Sequence, residues 1–103
     1  MEELERVLCS AIWYKDLPTP IFLPKNIEKG IVFSGHQHIH CTHQRFIMTG
    51  KRQAEVGEYE TGFLTSYNRF VNREEAANIA LSNGQVKALK YSKKELYSED
   101  LFD

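Results

Sequence analysis

Four histidines fall within eight residues, at His36, His38, His40 and His43 in the string GHQHIHCTH, and Cys41 lies among them. Imidazoles at i, i+2 on a strand or i, i+4 on a helix converge, and a neighbouring thiolate adds a soft ligand, so metal binding is the first chemistry this spacing offers. A metal site drawing on other parts of the chain needs a second ligand cluster, and the sequence has none. The expectation is that no metal is held here. The same stretch has a second chemistry. A strand, then Gly35, then a helix start gathers backbone amides and the positive helix end at one point, with neutral imidazoles around it as donors or acceptors for an anion.

The histidine spacing is similar to the His-x-His-x-His motif of the histidine triad nucleotide hydrolases, in which an imidazole attacks a phosphate. Gln37 breaks the apolar alternation of that motif, and the string here follows an early strand rather than a late one. A bland reading stays open beside these, namely a polar loop and helix start that are rich in histidine.

A second constellation runs from Gly62 to Ala76, GFLTSYNRFVNREEA, with Arg69 and Arg73, Asn68 and Asn72, Thr65 and Ser66, and the rings of Phe63, Tyr67 and Phe70. An aromatic ring stacks on a base while an arginine forks onto phosphate, which is the chemistry of a nucleotide cradle. The structural alternative makes Phe63 and Phe70 core residues and has Arg69 cover Glu75 or solvent. Arg69, Phe70 and Arg73, with His38 opposite, are the expected site. Strand alternation sends Arg69 and Val71 to one face and Phe70 to the other. Either Phe70 is core and Phe63 or Tyr67 supplies the stacking ring, or Phe70 reaches a pocket completed by another subunit.

These residues need positioning elements. Arg6 to Tyr14 reads as a strand apolar on both faces, with Val7, Cys9, Ala11 and Trp13 on one side and Leu8, Ser10, Ile12 and Tyr14 on the other. Asp16 to Lys25, with three prolines, is a loop with an edge strand at most. Gly30 to Ser34 is a second strand. Ile39, His43, Phe46 and Ile47 recur at helical spacing and predict a helix from near His38. Lys51 to Glu60 is polar and reads as a mobile loop. Thr61 to Ser66 and Arg69 to Val71 form a hairpin turning at Tyr67-Asn68. Asn72 caps a helix from about Arg73 to Ser82, with Glu75 completing a capping-box-like pair and Asn83-Gly84 as the stop. The tail from Tyr91 to Asp103 is weakly helical, and its Leu96, Leu101 and Phe102 should dock on something, a partner subunit among the choices.

Composition limits the functions available. The 103 residues carry 13 Lys+Arg against 14 Asp+Glu, a net charge of −1, with 42% hydrophobic residues. That supports one compact domain spanning residues 1–103 and argues against duplex DNA, which calls for a basic field. Two cysteines, Cys9 and Cys41, make no disulfide framework, and MEELERVLCSAIW lacks a basic signal-peptide region, so free thiols in a cytoplasm are expected. No apolar run approaches the roughly 20 residues of a membrane helix.

The order of Cys9-Ser10-Ala11-Ile12-Trp13-Tyr14, then Gly35 followed by His38 and Cys41, then GFLTSYNRFVNREEAANIALSNGQ, then LYSEDLF resembles the Thoeris anti-defence family of small phage proteins, the type that sequesters cyclic ADP-ribose signals. The resemblance implies a non-catalytic sponge acting in the host bacterium's cytoplasm. It would be a homo-oligomer built from dimers, up to a hexamer, that binds a small cyclic nucleotide or cyclic oligonucleotide between subunits. It places His38 and Cys41 after the glycine turn, and Phe63, Asn68, Arg69, Phe70 and Arg73 in the pocket-lining motif. Where that family often has basic residues after the turn glycine, this chain has His36 and Gln37, and Asn72 stands where an acidic residue is common. The lower fixed charge implies a different nucleotide preference, or binding favoured at lower pH as imidazoles charge. The expected fold is α+β, a small, mainly antiparallel sheet with two or three helices in a single domain. The expected function is signal capture without catalysis and without a cofactor. The rival is a nucleotide hydrolase or metal-dependent phosphodiesterase built on His36, His38, His40 and His43.

Overall fold

The computed structural model of the chain describes residues 4–101. The central strand β1 (Val7–Tyr14) pairs antiparallel with β2 (Ile31–Gly35) on one side and with β3 (Tyr59–Thr65) on the other. A hairpin joins β3 to β4 (Phe70–Asn72), so the sheet order is β2-β1-β3-β4. Three helices, α1 (His38–Thr49), α2 (Arg73–Ser82) and the short α3 (Ser98–Leu101), complete an α+β domain. Among the described residues no helix is long and apolar enough to cross a membrane.

Both sheet faces are covered, as the doubly apolar β1 requires. Ile12 and Tyr14 pack with Leu17, Cys41 and Val56, while Val7, Phe63 and Val71 pack with Ala76, Ala77 and Ala80 of α2. Ala11 and Phe70 form the opposite face, covered by Leu23 and Ile27 of the segment between β1 and β2. One expectation fails at the start of β1. The pairing with β3 shifts between Val7 and Cys9, and such a bulge reverses the alternation beyond it. Val7 therefore joins Phe63 rather than Ala11, and Leu8 is 54% exposed instead of buried.

The segment read as a polar mobile loop is tied to the core. It holds a single 3-10 turn over Gln53–Glu55 and buries Val56, and the Glu58 amide donates to Asp16 Oδ2 at 2.9 Å. The hairpin turns where expected, with Asn68 in the left-handed region at φ 57° and its amide donating to the Thr65 carbonyl. The side chain of Asn26, in the segment between β1 and β2, clasps β4, accepting from the Phe70 amide at 2.8 Å and donating to the Phe70 carbonyl at 2.6 Å.

Asn72 caps α2 by accepting from the Glu75 amide at 2.8 Å, but the reciprocal half of the expected capping box is diverted, because the Glu75 carboxylate turns to Arg69. The tail is consumed by its own chain. Leu96 is fully buried in the α2 cluster and Leu101 packs against it, while Asp100 accepts from the Lys90 and Tyr97 amides. Phe102, expected to dock beside Leu101, lies outside the described residues.

Candidate functional site

His38 opens α1 and Arg73 opens α2, and the fold brings these two helix starts together over the middle of β3. His38 Nε2 lies 2.8 Å from the Gly62 carbonyl oxygen. A carbonyl only accepts, so Nε2 carries the ring proton and Nδ1 bears the lone pair. That lone pair accepts from Arg73 Nη2 at 3.3 Å. The imidazole is thus neutral with both nitrogens engaged, and its edge rests on the Phe63 ring, centroids 5.2 Å apart. Burial is the main cause that lowers the His38 pKa from its ordinary 6.5, and the Arg73 charge adds to it against the opposing pull of the Gly62 carbonyl and Glu99.

Arg73 is held from four directions. Nε donates to Thr61 Oγ1 at 3.1 Å, Nη1 donates to the Leu96 carbonyl at 3.0 Å, Nη2 donates to His38, and the guanidinium lies 4.8 Å from the Tyr97 ring centroid. Among the described residues the ion pairs are Lys15–Glu60, Arg69–Glu5 and Arg69–Glu75, so Arg73 has no carboxylate against it. A guanidinium has five N–H donors and three are used, which leaves two for a ligand. The hollow beside it, about 330 Å³, is lined by Gln37, His38, Ile39, Arg73, Tyr97, Ser98 and Glu99. Its floor is the first turn of α1, which carries no acidic residue to cancel the positive helix end. The polar hollow on the other side of Arg73 is ringed by Glu60, Glu74 and Glu95, which repel an anion.

The six residues expected at the site divide. His38 and Arg73 meet. Phe63 is fully buried beneath them, and Phe70 is buried on the opposite sheet face against Trp13, so neither ring is open for stacking from within one chain. Asn68 sits exposed in the hairpin turn. Arg69 forks onto Glu5 with two contacts of 2.9 Å and reaches Glu75 at 3.3 Å, which lowers the Glu5 pKa and spends the arginine charge inside the protein. These carboxylates line a separate, apolar hollow with Leu4 and Ile79, poorly suited to phosphate. Tyr97, Thr61 and Ser98 were missed. Their signal lay in LYSEDLF and in the strand before Gly62, but only tertiary packing sets them around Arg73.

Of the remaining histidines, His36 precedes α1 and its ring centroid stands 6.3 Å from that of His40, both on the exposed surface. His40 Nδ1 accepts from the Gln37 amide at 3.1 Å, and His43 is exposed. Cys41 is a core residue whose thiol is pushed up to about 11 by burial, so it offers no thiolate. Among the described residues no three His, Cys, Asp or Glu side chains come together as metal ligands.

Acid does not readily charge His38, because burial disfavours its protonated ring. Because the folded state disfavours the protonated ring, the unfolded chain binds the extra proton first as pH falls. The resulting stability is fully present above 6.5 and is lost as pH drops from there through the lower folded pKa. Urea unfolding across this interval is expected to show a falling midpoint in the parent and a flatter profile in His38→Gln.

Searches of curated proteins and of solved structures each found no significant match. A scan of protein families matches residues 6–102, nearly the whole chain, to the family described as Phage T4 y16D protein. The strand, the two helix starts and the tail that build the hollow all lie within that match, and the chain belongs to this family of phage proteins.

Proposed function

We propose that this chain captures a small cyclic nucleotide signal, of the cyclic ADP-ribose type or a cyclic oligonucleotide, and holds it unchanged in the host cytoplasm so that a bacterial anti-phage effector is not switched on. The observation that carries this reading is Arg73, a cation without a carboxylate partner among the described residues, fixed beside the first turn of α1. A phosphate takes its two remaining donors and the His38 and Ile39 amides, since the Gln37 and His40 amides are already engaged within the first turn. Glu99, which also lines the hollow, accepts from ribose hydroxyls or a base amino group. Membership of a phage protein family is compatible with this role, and the resemblance to the Thoeris anti-defence proteins supplies the signal class.

The surroundings of His38 support capture over hydrolysis by that residue. A nucleophilic or general-base imidazole needs a free lone pair, and the one on Nδ1 is spent on Arg73. The rival, a hydrolase built on the histidine cluster, is separated by one experiment. Cyclic ADP-ribose and cyclic di- and trinucleotides are incubated with the protein, which is then denatured by heat. Intact nucleotide in the supernatant supports capture, whereas cleaved product establishes an enzyme, and no binding at all removes the nucleotide reading.

The two arginines give a sharper test. Arg73→Ala is expected to weaken binding by about 1.5–3 kcal/mol, roughly tenfold to a hundredfold, whereas Arg69→Ala leaves affinity within a few fold and lowers the unfolding midpoint because Glu5 loses its partner. Calorimetry showing equal losses for both would move the site toward the hairpin.

A further inference from the structure

Two buried polar groups have no part in the site around Arg73, and they lie together. Arg45 is 6% exposed and an arginine keeps its charge, yet no ion pair among the described residues includes it. The one hydrogen bond its side chain makes there is to a neutral group, Nη1 donating to Gln53 Oε1 at 2.9 Å, and its Nε is sealed from solvent with no acceptor. Tyr14 is fully buried, and its hydroxyl is likewise sealed without a partner. The guanidinium stands 5.7 Å from the centroid of the Tyr14 ring, so both unmet groups belong to one contact between β1 and α1, about two turns along α1 from His38. A buried guanidinium facing only neutral groups is strongly disfavoured, and an unmet hydroxyl beside it adds to the cost.

We infer that Arg45 and Tyr14 hold a single inorganic anion of halide size between β1 and α1. An arginine Nε only donates, and the Tyr14 hydroxyl keeps its proton, because burial is the main cause that raises its pKa from the ordinary 10.0 against the lowering pull of Arg45. A water accepts both hydrogens but leaves the charge of Arg45 in the core without a counterion. An anion accepts both and neutralises the charge. The surroundings set its size. Ile12, Leu17 and Val56 pack around Tyr14 and bring no donor, and the Cys41 thiol turns to the Ser10 and Gln37 carbonyls, so the outer oxygens of a sulfate or phosphate would find no partner. Gln53 is exposed on its 3-10 turn, which leaves the guanidinium one side chain from solvent and gives the anion its way in. Neither Arg45 nor Tyr14 lines the hollow beside Arg73, so the inference is independent of the nucleotide reading.

Thermal unfolding of the full chain in sodium chloride and in sodium gluconate at equal ionic strength tests this, gluconate being too large for the site. Tyr14→Phe is the control, since it removes only the hydroxyl and salt effects on the rest of the surface cancel between the two proteins. In chloride the parent is expected to gain several degrees over gluconate beyond whatever Tyr14→Phe gains, and the excess is expected to grow with chloride concentration, as mass action on a folded-state ligand requires. In gluconate Tyr14→Phe is expected to unfold no lower than the parent, because the hydroxyl it lacks has no partner there. Crystals grown in bromide are expected to show one anomalous peak within hydrogen-bonding reach of both Tyr14 Oη and Arg45 Nε. The same chloride increment in both proteins, or a water at that position in bromide crystals, overturns the proposal.

Discussion

Phe63→Ala is expected to lose about 3–5 kcal/mol of folding stability. The ring is fully buried where β3 passes between Ser10 of β1 and Val71 of β4. Above it lie Ala76, Ala77 and Ala80, side chains too short to swing into the space a deleted ring leaves, so the void stays open. A domain of this size has about 5–15 kcal/mol in total, which leaves the variant close to its unfolding transition. Urea denaturation measures the loss. A second readout ties it to the site, because the edge of His38 rests on this ring. With the ring gone, water reaches the imidazole and its pKa rises toward 6.5, which proton NMR follows directly. A loss under about 1.5 kcal/mol would mean that the cluster repacks, as volume-tolerant cores do.

Gly62→Ala is the second large effect, expected at about 3 kcal/mol or more. A Cβ at this position would land on the Val71 carbonyl oxygen, and would lie 2.8 Å from Phe70 Cζ and 3.0 Å from the Val71 carbonyl carbon. The main obstacle is backbone, which cannot rotate aside as a lysine tip would. β3 and β4 have to part, and the Gly62 carbonyl that fixes the His38 tautomer moves with them. Under the proposed function, nucleotide affinity is expected to fall together with stability in this variant, whereas in Arg73→Ala affinity is expected to be the larger loss. Thermal unfolding and calorimetry on the same preparations separate the two patterns.

What the sequence made legible was local. Alternation and turn residues place β1 and the hairpin, and the Asn72 cap fixes the first residue of α2, because each rests on neighbours within a few positions. The start of α1 near His38 was legible for the same reason. Its orientation was not, since helical spacing shows that a stripe exists but not which side meets the sheet, and here the polar stripe does. The bulge at Leu8 is likewise invisible to alternation, because one inserted residue reverses every assignment beyond it. At the site, charge type pointed to both Arg69 and Arg73, and only the fold shows that Glu5, 64 residues away in sequence, neutralises the first and leaves the second. Tyr97 was missed for the same reason, as α2 and the chain that follows it separate it from Arg73 in sequence while the fold sets its ring 4.8 Å from the guanidinium.

The clasp of Asn26 on Phe70 has a consequence for how the protein behaves when crowded. β4 is the last strand on its side of the sheet, and an unpaired terminal strand is a template on which another extended chain can add. One amide side chain has already taken the Phe70 donor and acceptor that an incoming strand would need. Sheet growth by strand addition, the route by which small β-containing proteins form fibrous aggregates, is opposed on that side by Asn26, beside which the Lys25 amide takes the Asn68 carbonyl.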